Sequence, residues 1–221
     1  MGRDQKNAAA VQPSYDFTGL WKRDLRGVRP YYEPPAGWPY TPLAQAIVDG
    51  FNENQNPQVG CEDPGPPKYM ILPYPIQISR PDDKTIVIAG ELRAEPRVVY
   101  LDRTHPPKEP SALGHSVGWF EGTELVVETT NFNPQHIFRG GLRHFFAITE
   151  EAKITERFTR ISNDQILYRF FVEDFDMYSN VWAGEMPFRA VDDKIYEYAC
   201  HEGNYAMANI LAGAREEDRR K

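Results

Sequence analysis

Ser116 lies between two glycines in Gly114-His115-Ser116-Val117-Gly118, the G-x-S-x-G spacing at which a serine hydroxyl can act as a nucleophile. That chemistry needs a strained strand-to-helix turn that lifts the hydroxyl clear of a sheet. The residues that follow, Trp119-Phe120-Glu121-Gly122-Thr123-Glu124-Leu125-Val126-Val127-Glu128-Thr129-Thr130, place aromatic and β-branched side chains on both sides of a polar, Gly-containing turn. They predict a β-hairpin. A serine hydrolase using Ser116 therefore stands behind two other readings.

Proton transfer is the first of these. Residues two apart on a strand share a face, and three such faces mix apolar side chains with one acid: Ile154-Glu156-Phe158, Val126-Glu128-Thr130 and Ile166-Tyr168-Phe170-Val172-Asp174. A carboxylate in apolar surroundings has a raised pKa and can serve as acid or base near neutral pH. Each acid also has a structural alternative. Glu156 can form an ion pair with Arg157 at a barrel rim, Glu128 can face solvent in the other register, and Asp174 can cap a turn. His115 sits in a Pro- and Gly-containing loop, where a histidine can be a proton shuttle or simply bond to backbone. His105 is similar, and His144 alternates with Leu142 and Phe146. Tyr100 and Tyr178 can donate to a carbonyl or alkoxide, or pack.

The expected catalytic set is His115, Glu128, Glu156, Asp174 and Tyr178, lining one aromatic pocket. Arg97, Tyr100, Trp119, His144, Tyr168 and Phe170 are expected against the substrate, with a Tyr or Arg stabilising a developing oxyanion. There is no H-x-H or H-E-x-x-H spacing and no Gly-rich loop between a strand and a helix. Neither a metal nor a nucleotide cofactor is expected.

The elements that must position these groups are mostly strands. Short segments over 76–79, 85–92, 97–102, 116–120, 124–130, 142–149, 152–161, 165–173, 185–190 and 194–199 alternate apolar and polar residues between turns. The pattern predicts an all-β antiparallel meander, closed into a barrel because closure removes exposed edges. Leu43, Ile47, Val48 and Phe51 predict a short helix near the N-terminus, and Met207, Ile210, Leu211 and Ala214 a C-terminal one. The Pro-, Tyr- and Trp-rich stretch 30–42 is irregular, either a lid over a pocket or a packed covering. Residues 1–15 are expected to be a disordered leader and 16–221 a single barrel domain.

The chain has 221 residues, 41% of them hydrophobic, with 12 Tyr, 12 Phe and 4 Trp, which suits an aromatic-lined β interior. Its formal charge of -7 argues against nucleic acid as a partner. No apolar run is long enough for a membrane span. Residues 1–12 lack a signal-peptide core, so the chain reads as cytoplasmic as written, or periplasmic if its N-terminus has been processed. The two cysteines, Cys61 and Cys200, are a disulfide in an exported protein or two buried thiols in a cytosolic one.

Two resemblances add to this. Gly19-Leu20-Trp21, at the first strand, resembles the opening of lipocalin-type (calycin) barrels, where the Trp plugs the closed end. Across nearly the whole chain beyond Phe17, the sequence also resembles a bacterial family of hypothetical proteins from soil proteobacteria and acidobacteria. Its signature stretches are Cys61 to Pro67, Pro73-Tyr74-Pro75-Ile76, Arg97 to Pro106 and Gly114 to Gly122. They continue with Glu156-Arg157-Phe158, Val172-Glu173-Asp174 with Tyr178 and Trp182, and Tyr196 to Glu202. Many relatives carry export signals, and the shared flanking features imply that Cys61 lies near Cys200.

The functional expectation is a cofactor-independent lyase, isomerase or cyclase. It would act by acid–base chemistry on a hydrophobic, aromatic or terpenoid-like molecule held in the barrel. The alternative is a non-catalytic, lipocalin-type binding protein for such a molecule. Acids and histidine in the cavity would favour the enzyme; a lining wholly aromatic and aliphatic would favour the binder. A homodimer stays open.

Overall fold

Alternation of buried and outward-facing residues on short strands organises the molecule. The computed structural model describes residues 16–24, 37–52, 56, 61, 64–91, 95–102, 109–133, 136–139, 145–198 and 206–220. Its elements run β1 (Gly19–Arg23), α1 (Pro42–Asp49), α2 (Lys68–Ile71), β2 (Ile76–Ser79), β3 (Thr85–Gly90) and β4 (Arg97–Tyr100). They continue β5 (His115–Glu121), β6 (Glu124–Thr130), β7 (His136–Arg139), β8 (Phe145–Ile148), β9 (Lys153–Ser162), β10 (Gln165–Glu173), β11 (Trp182–Ala190) and α3 (Ala206–Arg219).

Nine strands close into a barrel in the order β1-β11-β10-β9-β6-β5-β4-β3-β2, and β7 and β8 form a separate ribbon. The expected all-β barrel is therefore the fold, with one departure from a pure meander: β4 and β5 run parallel. Parity requires it. Directions can alternate all the way round a closed ring only if the number of strands is even; with nine, one neighbouring pair must be parallel.

Strand pairing sets which residues face inward. Leu125, Val127 and Thr129 of β6 lie opposite Phe158, Glu156 and Ile154 of β9. Those in turn lie opposite Tyr168, Phe170 and Val172 of β10. Tyr168 meets the rings of Phe158, Phe170 and Phe188 at 5.1, 5.8 and 5.8 Å, and Tyr168 and Phe170 expose no surface at all. The middle of the barrel is filled with side chains rather than hollow.

Phe17 and Trp21 plug one end. The Trp21 indole donates to the Phe17 carbonyl at 2.9 Å, and Arg160 lies 5.1 Å from the Trp21 ring centre. Phe17 itself packs on Phe120 and Phe158. The other end is covered by α2, by residues 37–41 and by β8. Tyr40 bridges to Tyr178, the Thr41 N–H donates to the Met177 carbonyl, and Thr41 caps α1 by accepting from the Ala44 N–H at 3.1 Å.

Several expectations are corrected. The expected strand over 194–199 is irregular through 198, with Tyr196 and Tyr198 exposed. β11 is already hydrogen-bonded to β10 on one edge and β1 on the other, so no free edge is left for it. β11 begins at Trp182, earlier than expected, and α2 and β7 were not expected at all. The leader over 1–15, most of the stretch 30–36, His105, His144 and Cys200 lie outside the described residues. Cys61, with φ 62, is disulfide-bonded, and the chain has one other cysteine. Among the described residues no helix is long and apolar enough to cross a membrane.

Candidate functional site

The expected single pocket does not form; its residues divide among three places. The first is the barrel interior. Arg97, on the inner face of β4, donates through Nε to Ser116 Oγ at 2.9 Å and through a terminal nitrogen to Thr129 Oγ1 at 2.7 Å. Both of its terminal nitrogens also donate to the carboxylate of Glu156, one of them to Oε1 at 3.1 Å. Tyr168 donates its hydroxyl to Glu156 Oε1 at 2.8 Å, and the Ser116 and Thr129 hydroxyls lie 2.9 Å apart. Burial, reinforced by the Glu156 charge, holds the Tyr168 phenol well above its ordinary pKa, so it stays a donor. All five side chains are buried. This is a closed ion-pair and hydroxyl network, and its lone pairs are engaged within the protein.

Two sequence expectations change here. Glu156 pairs with Arg97, not with Arg157. Neighbours on a strand point to opposite faces, so Arg157 turns outward and binds Glu121 at 2.9 Å and Glu124 at 2.5 Å. Ser116 is the second residue of β5, in a hairpin with no helix after it, which removes the nucleophile-elbow geometry. Its motif is explained locally. Gly114 takes φ 63 at the turn before β5, where a Cβ would come within 2.6 Å of the Thr130 carbonyl oxygen. Gly118 lies where a Cβ would come within 2.8 Å of Val99.

The second place is the outer wall. His115 and Tyr100 stack there at 5.4 Å between ring centres. Trp119, on the same outward face of β5, donates its indole N–H to Glu121 at 2.9 Å. Glu128 also faces outward, paired in register with Val117 and Thr155, near Lys153. The interior reading of Val126-Glu128-Thr130 is therefore corrected: pairing with β9 turns Leu125, Val127 and Thr129 inward instead.

The third place is the covered end. Asp174 accepts the Thr149 N–H at 2.7 Å on one oxygen and the Met177 N–H at 3.2 Å on the other. It caps the turn after β10 and ties it to the end of β8. Tyr178, fully buried, donates to the Ala147 carbonyl at 2.9 Å and accepts its N–H at 3.1 Å. Burial pushes its phenol above the ordinary range. Both side chains fasten β8 across the barrel mouth.

Beside them is a narrow cleft lined, among the described residues, by Trp38, Pro67, Lys68, Ile71, Phe146, Phe170 and Trp182. Trp182 is its hub, meeting Trp38 edge-on at 4.6 Å, Phe146 at 5.1 Å and Phe170 at 5.5 Å. Phe170, one of the barrel's interior rings, lies opposite Glu156 across β9 and β10, so the Arg97–Glu156 network sits directly below the cleft.

Lys68 reaches this cleft because α2 is wedged into the mouth. Residues 64–70 are all buried. The Tyr69 hydroxyl lies against Gly90, where a Cβ would come within 1.6 Å of it, and Arg23 holds the Ile71 carbonyl at 2.7 Å. Lys68 is 6% exposed, and burial lowers its pKa to about 8. The Trp182 indole N–H lies near the Tyr178 hydroxyl but meets no acceptor at hydrogen-bonding geometry.

Of the expected site residues that are described, only Phe170 lines the cleft. Lys68, Trp38, Ile71, Phe146 and Trp182 were not expected there. A lysine after a Pro-Gly run reads as solvated, and nothing in the local pattern marks a four-residue helix that plugs a barrel.

No protein-family profile matches the chain, and no curated protein matches it.

Proposed function

We propose that this barrel binds a hydrophobic, aromatic small molecule in the cleft at its covered end, as a non-catalytic binding protein of lipocalin type. The lining carries the reading: among the described residues it is aromatic and aliphatic apart from Lys68, with no acid and no histidine. Rings around a concave apolar site are the usual furniture of small-molecule recognition. Of the acids expected to act on substrate, Glu156 is engaged in the interior network, Asp174 caps its turn and Glu128 faces outward. The stretches Arg97 to Pro106, Gly114 to Gly122 and Glu156-Arg157-Phe158 each supply a member of that network, which supports reading the bacterial-family signature as structural. The disulfide at Cys61 fits an oxidising compartment such as the periplasm.

The test is titration with 2-naphthamide, a neutral fused-ring amide, followed through tryptophan emission, since Trp38 and Trp182 line the cleft. Ile71→Trp should fill the cleft, leave the barrel folded and abolish the emission change. Unaltered binding to this variant would place the ligand elsewhere.

One observation favours the lyase or isomerase as a second reading. Lys68, with a pKa lowered to about 8, is a competent general base in apolar surroundings. On that reading Lys68→Met abolishes turnover while ligand binding persists.

A further inference from the structure

Cys61 is bonded to a second sulfur of this chain, whose one other cysteine is Cys200. The two sides of that bond are held very differently. Cys61 lies just ahead of the buried run Pro64 to Met70, which seats α2. Gly65 sits so close to Ala112 that a Cβ would come within 2.2 Å of its carbonyl oxygen, and the Tyr69 N–H donates to the Gly65 carbonyl at 2.8 Å. Cys200 instead follows the arm that leaves β11. Residues 192–194 and 196–198 of that arm are exposed, and Ile195 is half-buried. Among the described residues, Tyr196 donates its backbone N–H to Glu91 at 3.3 Å, and the Tyr198 ring lies 6.3 Å from that of Tyr74, just past α2. Farther along, Ile210 and residues 212–219 of α3 are exposed. An exposed hydrogen bond and a tilted ring contact contribute little against the entropy of a free tail. The arm therefore depends on its sulfur bond, while α2 does not.

The bond is also set where it can be opened. Cys61 is half-buried and holds φ 62, a left-handed conformation that a non-glycine residue adopts at a cost. Strained or accessible disulfides are the reducible ones. We propose that this disulfide is a redox clasp. Closed, it fastens the C-terminal arm and α3 beside α2; opened by a dithiol reductant, it releases them and leaves the barrel folded. One thiolate of the reductant attacks one protein sulfur, and the other leaves as a thiolate and takes up a proton. The reductant's second thiolate then resolves the mixed disulfide, so the protein gains two thiols and the reductant becomes a disulfide. The closed ring of β1 to β11 contains no strand from the arm, so its pairing survives the release.

The experiment treats the native, full-length protein with dithiothreitol and then digests it briefly with chymotrypsin, reading cuts after Tyr196 and Tyr198 by mass spectrometry. Their rate should rise roughly tenfold or more on reduction, because cleavage follows the population of released arm. Tryptophan emission should stay native, and β5 to β11 should remain uncut. The double variant Cys61→Ser, Cys200→Ser should be cut at the reduced rate with or without dithiothreitol; if it does not fold, the wild-type comparison carries the test alone. An arm cut no faster after reduction, or a bond that the native protein does not surrender to dithiothreitol, would overturn the proposal. Loss of native tryptophan emission on reduction would overturn it too, by making the bond a brace of the barrel.

Discussion

Replacing Glu156 with glutamine tests whether the barrel is held from within by a charge pair. The side chain exposes no surface and accepts from both terminal nitrogens of Arg97 and from the Tyr168 hydroxyl. Glutamine keeps the volume and one carbonyl acceptor, but it removes the only carboxylate that Arg97 meets in the network and turns an N–H₂ toward it. Removing one partner of a buried pair costs about 3–5 kcal/mol, because the other charge is left uncompensated. For a domain of this size each kcal/mol shifts the melting midpoint by about 2–4 °C, so Glu156→Gln should lower it by about 6–20 °C. The assay is urea unfolding read through tryptophan fluorescence and extrapolated linearly to water. The double variant Arg97→Met, Glu156→Leu removes both charges and should recover most of the loss. It should remain about 1–3 kcal/mol below wild type, because the Tyr168 hydroxyl loses its acceptor. A single-variant loss under about 1 kcal/mol would match an exposed ion pair and refute the reasoning. A double variant no more stable than the single one would show that packing, not charge, dominates.

Three further outcomes are expected. A fluorophosphonate probe should leave Ser116 unlabelled, while Ser116→Ala should cost about 1.5–3 kcal/mol because Arg97 Nε loses its acceptor; stoichiometric labelling would restore the hydrolase. Gly90→Ala should lower both stability and 2-naphthamide affinity, since the new Cβ would displace the Tyr69 hydroxyl and with it α2, which carries Lys68 and Ile71; a stability loss with unchanged affinity would uncouple α2 from the cleft. Lys68 has a folded-state pKa of about 8 against an ordinary lysine value of 10.5. Between these values the unfolded chain holds more protons, so wild-type stability relative to Lys68→Met should rise with pH across that window and be flat below it. Chemical denaturation over that range checks the sign, and a fall would overturn it.

Much of the fold was legible because alternation is a local signal. The bounds of β2, β6 and β10 coincide with the segments expected over 76–79, 124–130 and 165–173. What failed depended on information that is not local. The run Leu125-Val126-Val127 is apolar on both faces, so its parity is ambiguous until β9 pairs with it, and that pairing selects the register in which Glu128 faces outward. The stretch 194–198 alternates like a strand, yet the closed barrel offers it no edge. The site was less legible than the fold. Glu156, Ser116 and Arg97 each stand out singly in the sequence, but their meeting depends on the parallel docking of β4 on β5, which no spacing rule encodes. Lys68 carries no local sign of burial, since its position is set by Tyr69 seating on Gly90, more than twenty residues along the chain.

The seam between β1 and β11 has a consequence for how the chain reaches this state. Most ring neighbours are also near neighbours along the chain, and the hairpins β5–β6, β9–β10 and β10–β11 can zip early for little loop entropy. The seam instead joins Trp21 to Ala190, almost the full length of the domain apart. Contacts of such long sequence separation slow folding and form when the rest of the sheet already holds their ends together. Closure is then the late event, and until it happens the paired sheet shows open edges at β11 and at β1, the state in which this protein is most exposed to aggregation. Trp21 sits on that seam, and its transfer from water into the plugged end makes its emission a built-in clock for the last step of assembly.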